Sequence, residues 1–128
     1  MKKILLIAMV MAIMGACAGT QEKPIAIRDD MPMKLAYQRM WEYSAYGESE
    51  DPAFIQTVLE TIKQLQIGKE TQMAADDYTD VIDFIYADGS RERYEFEAEW
   101  IVMDDGKRYE VIGSLSALRR LLDTLVEE

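Results

Sequence analysis

The residues of this chain that could do chemistry are mainly carboxylates. Four aspartates lie close together and offer the oxygen ligands that calcium prefers: Asp76, Asp77, Asp80 and Asp83. Their spacing does not match the calcium-loop pattern, and within a strand Asp80 and Asp83 would lie on opposite faces. We therefore predict a solvated turn and no metal site. Asp76, Asp77 and Asp80 are the residues that a cation would use if one were bound.

The second feature that bears on chemistry is the lack of histidine and of a second cysteine. The sequence contains no histidine, and Cys17 is its only cysteine. Ser-His-Asp and Cys-His nucleophiles are therefore excluded, together with zinc and copper sites built on these residues. We predict that the protein is not an enzyme and holds no cofactor. Paired carboxylates keep one alternative open, a hydrolase that cleaves cell-wall glycan. The aspartate group keeps another open, a calcium-dependent adhesion module.

The charge balance limits the choice of partner. The chain has 24 acidic and 14 basic residues, which gives a formal net charge of −10, and the basic residues are scattered. A phosphate backbone would be repelled by such a surface, so nucleic acid is excluded as a partner.

The first residues of the chain have the layout of a secretory signal. Lys2 and Lys3 give it a positive start, residues 4–14 are uninterruptedly apolar, and small residues follow. The apolar run has eleven residues, whereas a helix that spans a bilayer needs about 20. We therefore predict a segment that is removed after export.

The end of this segment is more specific. Met14, Gly15, Ala16 and Cys17 resemble the lipobox of bacterial lipoproteins, in which an aliphatic residue and two small residues precede a cysteine. The resemblance covers residues 1–17 alone. It implies that residues 1–16 are a cleaved signal peptide and that the Cys17 sulfur carries a diacylglyceryl group. It also implies a protein anchored by lipid in the cell membrane or outer membrane, facing outside the cytoplasm.

The rest of the chain reads as a spacer and one domain. Residues 17–32 carry two prolines and mixed charges, and they predict a lipidated N-terminus followed by a flexible spacer. Residues 33–128 predict a single small domain. Its first element is a strand that starts at residue 33 and ends at Gly47, and a helix follows with Asp51 as its cap and Gly68 as its stop.

The middle of the chain predicts strands. Apolar residues fall on even positions on both sides of the turn at residues 87–89, and opposed residues share a face only if this loop has three residues. The turn at residues 104–106 gives the same result. The apolar phase switches after Trp100, which predicts either a bulge near there or a central strand that is buried on both faces. Residues 69–75 suggest a further strand. A leucine-rich helix capped by Ser114 ends the domain. The fold class is α+β, an antiparallel meander of about four strands with one face packed against two helices.

One aromatic segment stands out as a possible binding surface. Trp41, Tyr43 and Tyr46 lie close together beside Met40, and such side chains are enriched where proteins recognise partners. They could equally pack into the core. We predict a lipoprotein whose domain is a binding or accessory module, with the membrane lipid and an envelope protein as partners.

Overall fold

The computed structural model describes residues 23–72 and 78–126. The predicted signal peptide, Cys17, Asp76 and Asp77 lie outside the described residues. The described residues form eight strands and two helices, which follow one another in this order: β1 (Lys23–Pro24), β2 (Lys34–Met40), β3 (Ser44–Ser49), α1 (Pro52–Lys63), β4 (Gln66–Thr71), β5 (Thr79–Ile85), β6 (Arg91–Glu97), β7 (Trp100–Val102), β8 (Arg108–Ile112) and α2 (Leu115–Val126).

All eight strands belong to one antiparallel sheet, in the order β1-β4-β8-β7-β6-β5-β2-β3. Strands β5 to β8 form a meander at its centre. The hairpin of β2 and β3 extends the sheet beyond β5, and α1 then carries the chain back to β4 beside β8. The α+β class, the antiparallel sheet and the two helices are confirmed, whereas the expected number of about four strands is wrong.

Two tight reversals account for much of the difference in strand number. Residues 33–47 read as one strand, but the chain reverses at residues 41–43, so that Met40 pairs with Ser44. The predicted bulge near Trp100 is a second reversal, in which Glu97 pairs with Trp100. Neither turn contains glycine, proline or asparagine, which are enriched in turns and would have predicted one.

The other two turns of the meander have three residues, as their apolar phase predicts. Across the first, the Tyr86 amide donates to the Ser90 carbonyl at 2.9 Å; across the second, the Met103 amide donates to the Lys107 carbonyl at 2.9 Å. The third residue of each loop is a glycine, with a φ of +87° or +79°. Because only glycine adopts this conformation readily, both loops close without strain.

The first helix begins where the sequence predicts. The Asp51 side chain accepts the Ala53 amide at 3.0 Å, and Pro52 occupies the first turn. The helix ends at Lys63, so the predicted stop at Gly68 is wrong. Gly68 lies in β4, which begins three residues after the helix. Leu65 lies in the short connection between the helix and β4, and its side chain is also buried. The helical spacing of apolar residues therefore continues beyond the end of the helix.

One face of the sheet packs against both helices. Side chains from that face and from the helices form a single apolar cluster, whose members include Leu35, Tyr37, Ile55, Ile62, Ile82, Phe84, Phe96, Leu118 and Leu122. The opposite face carries cross-strand ion pairs, such as Arg93 with Asp83 at 2.8 Å and Lys34 with Glu48 at 2.8 Å. We call it the charged face.

Residues 23–32 lie against the domain. Ile25 is buried in the apolar cluster, and the Tyr94 hydroxyl donates to the Ala26 carbonyl at 2.9 Å. The Arg28 guanidinium stacks 3.8 Å above the Tyr86 ring. This part of the predicted spacer therefore belongs to the folded domain, and residues 17–22 lie outside the described residues.

Candidate functional site

Trp41 and Tyr43 lie together at the surface, in the turn between β2 and β3. Tyr78, directly before β5, joins them. The centroid of the Trp41 ring lies 6.2 Å from that of the Tyr43 ring and 5.3 Å from that of the Tyr78 ring, and both contacts are edge to face. Tyr43 is 54% exposed and Tyr78 is 44% exposed, while Trp41 is half-buried. We call these three residues the aromatic cluster.

Tyr46, the third predicted residue, lies elsewhere. It is on the charged face of β3, where it is 59% exposed and its hydroxyl donates to Glu48. It lines a groove of about 350 Å³ whose charged members include Lys34, Arg91 and Arg93. The structure therefore brings two of the three predicted residues together and separates the third.

A buried arginine supports the aromatic cluster from below. The Arg39 guanidinium lies 4.0 Å from the Trp41 ring centroid, and its Nη1 donates to the Tyr43 hydroxyl at 3.4 Å. A cation over an indole face is attractive, by about 2 kcal/mol where the pair is desolvated. Arg39 thus links the two aromatic residues of the turn to the interior.

Arg39 is itself held by a polar network that joins the sheet to α2. Its Nε donates to the Tyr37 hydroxyl at 2.7 Å, and its Nη2 donates to Asp123. The Tyr37 hydroxyl donates to Asp80, which also accepts Arg119 Nε at 2.9 Å. We call these five residues the arginine network. It contains two guanidinium groups and two carboxylates, so its formal charges balance.

Burial and hydrogen bonding set the protonation of Tyr37 and Arg39 in this network. Burial raises the pKa of Tyr37 well above its usual value, and the hydrogen bond to Asp80 adds to the effect. Burial alone would lower the pKa of Arg39, but hydrogen bonds with Asp123, Tyr43 and Tyr37 raise it overall. The phenol therefore stays neutral and the guanidinium stays charged, which keeps the support under Trp41 intact.

Unlike the polar groups of the arginine network, the indole N–H of Trp41 makes no hydrogen bond with the described residues. Its Nε1 is buried and meets no acceptor in the described part of the chain. An unsatisfied buried donor costs about 1–3 kcal/mol. The ring contacts of Trp41 therefore have to offset the free-energy cost of this unsatisfied N–H donor.

The sequence pattern did not single out three residues of this site: Arg39, Arg119 and Tyr78. Arg39 follows Leu35 and Tyr37 on the same face of its strand, so an arginine at a core position was the available signal. Arg119 lies one turn after the buried Leu115 on α2. No comparable signal marks Tyr78, because its place beside Trp41 depends on the pairing of β2 with β5.

Of the three aspartates predicted as possible metal ligands, Asp80 is the only one among the described residues. It is 1% exposed, and its two oxygens accept Tyr37 and Arg119. Within residues 23–72 and 78–126, no three histidine, cysteine, aspartate or glutamate side chains are placed to hold a metal ion together. Asp80 is therefore engaged in the arginine network.

A comparison of this chain with protein-family models, with curated protein sequences and with solved structures found no significant match. Neither described helix is long and apolar enough to cross a membrane.

Proposed function

We propose that this protein is a lipoprotein anchored outside the cytoplasm through Cys17, and that its domain binds another envelope protein through the aromatic cluster. The observation that supports the binding role best is the exposure of Tyr43 and Tyr78 around a tryptophan that a buried arginine holds in place. The absence of enzymatic activity stays a prediction.

The anchor rests on the lipobox-like residues and on the type of chemistry they imply. Two or more acyl chains hold a protein stably at a membrane, since each buried methylene contributes about 0.8 kcal/mol. The tether would be short, because the folded domain begins by Lys23. Six residue steps from Cys17 span at most about 21 Å when fully extended. The domain would therefore stay close to the membrane surface.

The binding role rests on rigidity as well as exposure. Large aromatic side chains dominate recognition when they are already fixed in the bound geometry, because little side-chain entropy is then lost on binding. Hydrogen bonds from Arg39 to Tyr37 and Asp123 fix the arginine that contacts Trp41 and Tyr43. The cluster is thus a preorganised surface.

No observation on the described residues favours either alternative function, and two of the three aspartates predicted for a calcium site, Asp76 and Asp77, lie outside those residues. The carboxylates that line the groove on the charged face are paired: Asp83 accepts both Nε and Nη2 of Arg93, and Glu48 is bound by Lys34. A hydrolase would instead need two carboxyl groups free to face a glycan across a cleft.

The anchor is tested by Cys17→Ser with the full chain in a bacterial host. We expect the wild type to be processed and to partition into the detergent phase. The variant should remain unprocessed, and any variant protein that loses the signal by cleavage elsewhere should move out of that phase because it carries no lipid. Cys17→Ala serves as a second variant without a hydroxyl. Unchanged processing and partitioning in both variants would contradict the anchor.

The binding surface is tested by photo-crosslinking in the producing cell, with a photoreactive phenylalanine at position 43 or 78. We expect a discrete adduct from both positions. Position 46 is the matched control, because Tyr46 is an equally exposed aromatic residue on the charged face. The same adducts from position 46, or none from 43 and 78, would contradict the role of the aromatic cluster.

A further inference from the structure

We propose that the aromatic cluster binds a basic segment of its partner, a stretch in which lysine or arginine side chains accompany apolar ones. This inference rests on the proposed binding function and adds the chemistry of the partner. It is carried by the charges that surround the cluster and by the pairing of the nearby cations.

The first observation is that the exposed charges near the cluster are acidic. Glu42 lies between Trp41 and Tyr43 in the turn and is exposed. Glu99 is exposed in the neighbouring turn, which is joined to Tyr78 because the Ala98 amide donates to the Tyr78 carbonyl at 2.7 Å. The three chain segments that meet here are residues 40–44, 78–80 and 96–100. They contain four acidic residues and no lysine or arginine.

The second observation is that the three arginines in contact with these segments, Arg39, Arg119 and Arg108, are each paired with a carboxylate. Arg39 is buried and bound to Asp123. Arg119 is bound to Asp80 at 2.9 Å and donates to the Ala98 carbonyl. Glu97, the remaining acidic residue of these segments, is paired with Arg108 at 2.6 Å. Among the described residues, Glu42 and Glu99 are therefore the acidic residues of these segments that are exposed and have no ion-pair partner.

Aromatic faces within an acidic rim favour a cationic partner for two reasons. Lysine and arginine side chains are attracted to the rings of tyrosine and tryptophan, and their apolar stems pack against the same rings. The acidic rim and the net charge of −10 attract a basic segment over a longer range. The same charges oppose a second copy of this chain, which would bring two acidic rims together.

The experiment selects short random peptides displayed on phage against the full chain in mild detergent. Because the whole protein is acidic, basic peptides will also bind it without regard to this site. Counter-selection uses the double variant Tyr43→Ser/Tyr78→Ser, which retains every charge. Circular dichroism checks that the variant is folded, and Tyr46→Ser is the control for the loss of an exposed tyrosine.

We expect the peptides that survive counter-selection to be enriched in lysine or arginine together with apolar residues. Their binding should weaken more than tenfold in the double tyrosine variant and stay unchanged in Tyr46→Ser. Glu42→Gln combined with Glu99→Gln should weaken binding about fivefold, as expected for two exposed charge pairs. High salt should weaken it similarly. Glu60→Gln combined with Asp104→Asn removes two exposed charges elsewhere and should have little effect.

The other outcomes separate this inference from the proposed function. Peptides that need the tyrosines but are neutral or acidic, or that ignore Glu42 and Glu99, would overturn the basic partner and leave the aromatic cluster as a binding surface. If every peptide binds the double tyrosine variant as well as the wild type, both ideas fail. A dimer that dissociates in Tyr43→Ser would identify a second copy as the occupant and would also overturn the inference.

Discussion

Replacing Asp80 by asparagine should destabilise the protein strongly, although the side chain barely changes in shape. Asp80 is 1% exposed and accepts hydrogen bonds from Tyr37 and from Arg119, whose Nε lies 2.9 Å away. Arg39 Nε lies 3.8 Å from the same carboxylate. The substitution leaves two guanidinium groups with one carboxylate between them. Removing one partner of a buried pair costs about 3–5 kcal/mol, because the remaining charge is left uncompensated.

Asp123→Asn is the matched control, since it makes the same chemical change within the same network. The Asp123 side chain is 42% exposed, so water can solvate Arg39 Nη2 when the carboxylate is removed. An exposed ion pair contributes about 0–1 kcal/mol. We therefore expect the loss of stability at position 80 to exceed that at position 123 by about 2 kcal/mol or more.

Urea unfolding measures this difference, with the fluorescence of the two tryptophans, Trp41 next to the network and Trp100, as the probe. In a domain of this size each 1 kcal/mol also lowers the melting temperature by about 4–8 °C. The variants Arg119→Met and Asp80→Asn/Arg119→Met complete a double-mutant cycle, in which the double variant should lose less than the two single variants together. Equal losses for Asp80→Asn and Asp123→Asn, or additivity in the cycle, would refute the argument from burial.

Three further predictions concern packing, pH and the N-terminal segment. Gly47→Ala should cost about 1–3 kcal/mol, because a Cβ there would lie 2.5 Å from the Leu125 carbonyl oxygen; unchanged urea unfolding would contradict this. Burial raises the pKa of Glu95, and a neighbouring glutamate adds to the effect. Stability should therefore fall as pH rises from the usual glutamate pKa through the raised one, and Glu95→Gln should remove this decline from a series of melting curves; a decline that persists would contradict it. Arg28→Ala removes the cation stacked on Tyr86 and should speed amide exchange in residues 25–32 while leaving α1 unchanged, whereas unaltered exchange would show that this contact does not hold the segment.

Several parts of the fold that follow from a local rule were predicted from the sequence. The alternation of apolar residues around residues 87–89 fixed the register of β5 against β6, and it requires Ile82 to face Tyr94, as observed. Asp51 and Pro52 marked the start of α1. The reversal at Ala98, where a non-glycine residue takes a φ of +52°, has no such rule. Its place is decided by pairing between β6 and β7.

The candidate site could be predicted only in part, for a similar reason. Composition alone pointed to Trp41 and Tyr43. The residues that support them come from distant parts of the chain, since Asp123 lies 84 positions from Arg39 and Arg119 lies 39 positions from Asp80. These contacts require α2 to be docked against the sheet, and periodicity within a helix does not say which strand it will meet.

Exposed aromatic residues can also anchor a protein at a membrane interface. The position of the aromatic cluster in the sheet bears on whether it has that role. Strand β1 lies at one edge of the sheet, and β2 lies six strand spacings away. At about 4.8 Å for each spacing, the two are about 29 Å apart along the sheet. A lipid on Cys17 would hold the β1 edge near the bilayer. The cluster lies toward the other edge, and the charges of Glu42 and Glu99 would be repelled by an anionic headgroup layer. Both the position and the charge of the cluster therefore favour a protein partner over the lipid surface.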